Sequence, residues 1–356
     1  MTGYDYGNAR LRARRHGLLR REHYAGLLGR GGPELLVALA ASSYLPQAEA
    51  AEAATGGWLM TLYRAARDHL VAALTGVAGF YSGRAREVVT ALLGRFDAHN
   101  TLVLLRAAHH GTTPDPALLI PVGRLGAGTA REAAGQPDLP AAARLLAARR
   151  LPDPAAAPVL LATAHRYELD TGLAAVEQAV THAAWAHQLG VLGAAGPAAD
   201  EALAAFRRET DDRNLLLALR LRESAGQHRA GAPAAGLPPL PGGTLPAGQL
   251  AAVRQAPARA GALAALAPVR RAWQGPLTAW AGGGDLATLQ AGLETARLRA
   301  ECRRLRRGDP LGAATAAHYV LAHQVQARNV QLLAQAAVGV LTQDEVRHHL
   351  VIDDPA

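Results

Sequence analysis

The chain has 356 residues, half of them apolar, 19% charged and 4% aromatic, with a formal net charge of +8, one cysteine and no lysine. That length exceeds what one hydrophobic core usually serves and divides into three pieces of ordinary domain size. The missing lysine excludes a phosphate-loop lysine, a Schiff base and a lysine general base, and a lone cysteine excludes a disulfide or a cysteine-rich zinc site.

Ala and Leu dominate, with little sustained β-branched alternation, so the composition predicts an all-α fold. The first helix is crowded with Arg10, Arg12, Arg14, Arg15, Arg20 and Arg21, and no apolar core or small-residue cleavage site follows Arg15 and Leu18. No signal peptide is expected, and the chain reads as soluble and cytoplasmic. A helix over 59–74 then reaches a breaker at Ser82-Gly83, and a second helix starts 17 residues before Asn100. A loop from Gly111 to Gly123 leads into Gly126-Ala127-Gly128, which has half a dinucleotide fingerprint but no third glycine and no preceding strand, and so reads as a loop entering a helix. The pattern returns as a helix over 171–189, a breaker at Gly196-Pro197, a long helix through Asn214 and a loop from Gly226 to Gly243. The charge-free stretch 230–253 has the length of a membrane span but holds five prolines and five glycines, which makes it a loop. A third round follows: a helix over 286–305, the breaker Gly308 to Gly312 with Asp309 as cap and Pro310 in the first helical turn, a long helix through Asn329, and a short loop at 339–341.

The three rounds share a phrase: Asp97-Ala98-His99-Asn100, Asp211-Asp212-Arg213-Asn214 and Gln326-Ala327-Arg328-Asn329, whose asparagines lie 114 and 115 residues apart. Three helical modules are therefore expected, near 1–128, 129–247 and 248–356, each reading helix, turn, long helix, loop. At roughly 100° per residue, the positions eight before the asparagine (Leu92, Phe206, Leu321), three after it (Val103, Leu217, Leu332) and seven after it (Ala107, Leu221, Ala336) form one apolar sector with the asparagine at its edge. An amide there needs partners, and three at matching mid-helix places predict that it ties down a neighbouring loop. Asn100, Asn214 and Asn329, with Asp97 and Asp211, are the repeat-defining residues. Two of the loops also end alike, as Pro121-Val122-Gly123-Arg124-Leu125 and Pro241-Gly242-Gly243-Thr244-Leu245.

Little in the chain points to catalysis. The adjacent pairs His109-His110 and His348-His349 diverge on a helix, and His182 with His187, and His318 with His323, are five apart rather than four. None makes a His-Glu-x-x-His metal face. Asp211 and Asp212, beside Arg208 and Arg213, read as solvated ion pairs on a helix surface, and Cys302 as a buried small hydrophobe. No metal or cofactor is expected. The remaining signal is arginine: Arg12 and Arg15 at the start, and Arg303, Arg304 and Arg307 near the end, are candidate contacts for an anionic partner. The low aromatic content and the lack of a reading module weigh against nucleic acid.

Taken together, the opening Tyr6-Gly7-Asn8-Ala9-Arg10 through Arg15, the three asparagine phrases and the closing Asp309-Pro310-Leu311-Gly312 through Tyr319 to Asn329 resemble the family of C-type central-stalk components of the prokaryotic V-type (A-type) rotary ATPases. That family is similar to the d-type component of the eukaryotic vacuolar enzyme. Around His323-Gln324-Val325-Gln326 the chain departs from the family, which usually carries Lys and Glu there. The resemblance implies three helical modules around a pseudo-threefold axis, forming a funnel. Its mouth would receive the tip of the central rotor shaft, built from the D and F components, and its base would rest on the membrane proteolipid ring. It implies a non-catalytic rotor part, peripheral on the cytoplasmic face of the membrane, not a homo-oligomer, and coupled to proton or sodium transport. The alternatives are an Arg-rich helical scaffold for nucleic acid or acidic partners, and an enzyme whose site gathers scattered His and Asp.

Overall fold

A computed structural model of the protein describes residues 3–44, 46–49, 57–168, 172–226 and 238–353, and these are all helix, turn or coil with no strand. The helices used below are α1 (Asp5–Arg14), α2 (Arg21–Leu27), α3 (Gly32–Ala40), α4 (Trp58–Leu74), α5 (Gly83–His109), α6 (Ala127–Ala134), α7 (Leu139–Ala148) and α8 (Ala156–Glu168). They continue as α9 (Leu173–Ala194), α10 (Asp200–Gly226), α11 (Ala247–Gln255), α12 (Arg259–Ala265), α13 (Arg271–Ala281), α14 (Leu286–Arg307), α15 (Ala314–Ala337) and α16 (Gln343–His349).

Three successive helix pairs, each joined by a reversing turn, carry the architecture: α4–α5, which meet only near their turn, and α9–α10 and α14–α15, which pack along each other. Each turns within a few residues, and a glycine with positive φ makes the first two reversals possible, Gly76 at 74° and Gly196 at 65°. Hairpins then pack on one another in a single order. The long helix of each lies against the first helix of the next: α5 against α9, α10 against α14, and α15 against α4. The last of these joins the C-terminal hairpin to the N-terminal one, so the three close into a ring.

The turns meet at one end of that ring. Asn8 of α1, 1% exposed, donates its amide to the carbonyls of Pro310 (2.8 Å) and Gly312 (2.9 Å) in the third turn, and its oxygen accepts from the hydroxyl of Tyr81 in the first (2.9 Å). The amide of Ala313 donates to Ala198 of the second turn (2.6 Å). Gly7 is needed for this junction, because a Cβ there would stand 2.3 Å from the Tyr81 ring. A shared core fills this end, with Leu11, Val88, Leu92, Phe96, Trp185, Phe206, Leu305 and Tyr319 among its buried members.

Away from the turns the long helices enter three separate cores. Leu104 and Leu105 join α6 to α8 and the start of α9; Leu215 and Leu219 join α11 to α13 and the start of α14. Val330 and Leu333 join α16 and, from the other end of the chain, Leu19, Leu27, Leu35, Tyr44 and Leu62. Each buried Leu or Val contributes about 1.5–3 kcal/mol of apolar transfer, so every long helix is anchored at both of its ends.

Several expectations need correction. The third long helix starts at Ala314, not at Asp309 and Pro310. The carbonyls that would begin a helical ladder there are taken by Asn8, and the carboxylate of Asp309 instead accepts from Leu311 (2.9 Å). Within 230–253, residues 230–237 lie outside the described ones, 238–246 is coil as expected, and the remainder falls in α11, which follows Pro246 and buries Leu250 and Val253 against α10. Its last residues are free of proline, a contrast hidden when the window is read as one piece. The asparagines sit in the buried face rather than at its edge, at 0%, 4% and 0% exposure for Asn100, Asn214 and Asn329. Conversely, Val103, Leu217 and Leu332 are only half-buried.

Candidate functional site: clamps and the hollow between the long helices

The repeated asparagine makes the same contact three times. Asn100 donates to the carbonyl of Ile120 (2.8 Å) and accepts from its amide (2.7 Å). Asn214 does the same with Leu240 (2.9 and 2.7 Å), and Asn329 with Val351 (2.7 and 3.2 Å). A carboxamide offers one donor face and one acceptor, so each side chain replaces a strand partner for one residue of the returning chain. In the third copy that residue lies beyond α16, not in the 339–341 loop.

Three residues earlier, a carboxylate adds a second fastening. Asp97 accepts from the amides of Arg124 (2.8 Å) and Leu125 (2.9 Å); Asp211 accepts from Thr244 (2.6 Å) and Leu245 (2.9 Å) and pairs with Arg270. The shared loop ending is thereby explained. At Gly123 and Gly243 a Cβ would stand 2.2 and 2.5 Å from those carboxylate oxygens, so only glycine lets the backbone come close enough. Burial pushes the Asp97 carboxyl up to about 6, against the pull of its two amides. The third copy has Gln326 instead, which accepts from the amide of Leu19 (2.6 Å) and donates to the Tyr44 hydroxyl (3.0 Å). An amide suits that place because the N-terminal segment offers both a donor and an acceptor.

Asp211 and Asp212 are consequently not solvated. They are 0% and 6% exposed, and Asp212 accepts from Trp273 Nε1 (2.8 Å) and lies 3.1 Å from Arg297 Nε. Burial raises its carboxyl to about 6 despite Arg297 and Trp273.

Between α5, α10 and α15 lies a cavity of about 460 Å³ whose wall repeats as the sequence does. Five residues before each asparagine stand Arg95, Glu209 and Gln324, one before stand His99, Arg213 and Arg328, and all six line it. Leu92, Phe206 and Leu321, eight before, meet nearer the turns. Glu209 is nearly buried and is reached by Arg213 (2.9 Å), Arg95 (3.2 Å) and Arg297 (3.7 Å). Burial alone would raise its carboxyl; the guanidiniums of Arg95, Arg297 and Arg213 outweigh it and hold the group below the usual carboxylate range. Nearer the turns, beside Leu92, Phe206 and Leu321, Glu301 pairs with Arg208 (2.5 Å) and Arg304 (3.3 Å). The charges at 95 and 209 escape a motif search, yet counting back five from each asparagine finds opposite signs at equivalent places on two helices.

Of the arginines singled out for an anionic partner, Arg15 turns inward to His318 (2.7 Å), which lies 2.7 Å from Asp353, and Arg304 is paired with Glu301. Exposed Arg12 reaches only the carbonyl of Pro310 (3.3 Å) among the described residues. Arg303 and Arg307 are exposed, with no carboxylate in reach among the described residues. His69 and His323 pack with Tyr44 and Tyr319 as a buried aromatic cluster. Cys302 is buried, its thiol pushed up to about 12 chiefly by desolvation. Among the described residues no three His, Cys, Asp or Glu side chains converge as a metal site would require, and no helix is long and apolar enough to cross a membrane.

The fold is an all-α ring of helical hairpins whose buried polar groups fasten loops and pair charges. The family model described as ATP synthase (C/AC39) subunit matches residues 7–349, and the chain belongs to that family. It is thus a central-stalk type of V/A-ATPase subunit, non-catalytic as its family is. No curated protein matches the sequence.

Proposed function

We propose that this protein is the socket of a rotary V/A-type ATPase or synthase, joining the rotor shaft (the D and F components) to the membrane proteolipid ring. The units near 1–128, 129–247 and 248–356 are the sectors of a funnel about a pseudo-threefold axis, and the hollow between α5, α10 and α15 is its mouth. It sits peripherally on the cytoplasmic face, as one copy in the complex, and passes torque that drives proton or sodium transport or, in reverse, ATP synthesis. The observation that carries this reading is the cavity lined by equivalent positions of all three long helices. Stiffness is what such a part needs, and helices anchored at both ends, with loops clamped by Asn100, Asn214 and Asn329, supply it.

The nucleic-acid alternative draws on the Arg-rich segments, but Arg15 and Arg304 among its candidates are taken by His318 and Glu301, and other arginines of the C-terminal segment are committed inside the fold as well. Arg297 goes to Glu209 and Asp212, Arg299 to the carbonyls of His348 and Leu350, and Arg306 to Asp353. A strain lacking this chain tests the proposal. The soluble ATPase head is expected to separate from the membrane on fractionation, and a head that stays bound and coupled would count against a socket.

A further inference from the structure

The hollow carries a charge imbalance that points to the chemistry of what enters it. Around Glu209 stand three guanidiniums, and among the described residues the only other carboxylate within 4 Å of any of them is Asp212, beside Arg297, on which Glu294 and Glu301 act from further off. The remaining charged wall residues, Glu294 and Arg328, pair with each other at 3.3 Å, Gln324 is neutral, and His99 is engaged with the carbonyl of Leu118. One positive charge is left over. Two side chains are placed to receive a partner: Arg213 is 51% exposed with its Cζ 4.6 Å from the centroid of the Trp185 ring, and the Nε of Arg95 is buried with no hydrogen-bond partner among the described residues. The buried Arg95 Nε–H without an acceptor is costly, and a second carboxylate bridging it and the accessible Arg213 guanidinium would relieve it. Further from the turns the wall changes character. A neighbouring cavity of about 620 Å³ shares Glu209, Arg213, Glu294 and Arg297 and adds Leu102, Leu216 and Leu217, all half-buried.

Resting on the socket reading, we infer that the shaft tip entering this hollow presents a carboxylate to Arg213 and Arg95, flanked by apolar side chains that cover Leu102, Leu216 and Leu217. The contact is therefore off-axis, on the side of α5 and α10, because the equivalent Gln324 of α15 offers no charge.

The full chain is titrated calorimetrically with the purified shaft components of the same complex. Raising sodium chloride from about 50 to 500 mM should weaken binding at least tenfold, since a part-exposed ion pair is screened over that range. Arg213→Glu should weaken it at least tenfold at low salt, and Arg213→Gln by less, with helical content and melting temperature reported for each. The salt titration of the unmodified protein stands even if a variant unfolds. In parallel, Leu217→Cys, labelled with a photo-crosslinker, should capture the shaft, buried Cys302 remaining unlabelled. Capture together with binding indifferent to salt and to Arg213→Glu would overturn the acidic tip and leave the socket standing. No capture and no binding would overturn the socket, and the acidic tip with it.

Discussion

Replacing the three clamp asparagines by Leu, one at a time, should give a graded loss of stability set by where each partner lies. Leu removes an amide that satisfies both the N–H and the C=O of one residue, so two backbone groups lose their partners at each site. Val351, the partner of Asn329, is 2% exposed, and water cannot replace the amide there. At about 1–3 kcal/mol for each buried group left unpaired, Asn329→Leu should cost about 2–6 kcal/mol. Ile120 and Leu240 are half-buried, so solvent recovers part of the loss, and Asn100→Leu and Asn214→Leu should each cost about 1–3 kcal/mol. Urea unfolding followed by circular dichroism gives the midpoint, and native-state hydrogen exchange at Val351, Leu240 and Ile120 shows whether the loss begins at the clamp. If Asn329→Leu unfolds at the unmodified midpoint with the Val351 amide still protected, or if the order is reversed, the asparagines do not clamp these segments.

Gly123→Ala and Gly243→Ala should each destabilise by about 1–3 kcal/mol, because a methyl would displace the Asp97 or Asp211 carboxylate; Gly248→Ala, where nothing lies within 4 Å, serves as the control in the same melts. Acid should weaken the seam between α4 and α15. Burial lowers His69 to about 4 and, with His69 and His318 nearby, His323 to about 3. Below about 6.5 the unfolded chain binds protons that these folded rings refuse. The contribution is intact above that pH and falls by about 1.4 kcal/mol per unit for each ring as pH drops towards the folded values. Denaturant midpoints from pH 7 to 4.5 should fall more steeply for the unmodified protein than for His69→Phe/His323→Phe, and equal slopes would contradict this. Cys302 should resist an aromatic disulfide reagent until denaturant is added; stoichiometric reaction in the folded protein would show the burial to be wrong.

The architecture was largely legible because it is written three times. Helix periodicity and the glycine and proline breakers mark the hairpins, and an asparagine recurring in mid-helix implies a tied loop before any contact is seen. What escaped is what depends on distant chain. Asp309-Pro310 looks like a helix start by local rules, yet Asn8, 302 residues away, takes the Pro310 carbonyl. Asp211 and Asp212 look like surface acids beside arginines, and only the approach of the loop at Thr244 and of Trp273 buries them. The absence of an acid at position 326 is equally opaque in the sequence. It makes sense once Leu19 and Tyr44 are seen to close the third unit, where a side chain must both donate and accept.

The rotor role is tested most directly by tethering. With Leu217→Cys joined covalently to the shaft tip in the assembled complex, ATP-driven ion pumping should continue at near its untethered rate, because the two parts turn together. Pumping abolished by that tether, and restored when it is cleaved, would show that the chain does not rotate with the shaft.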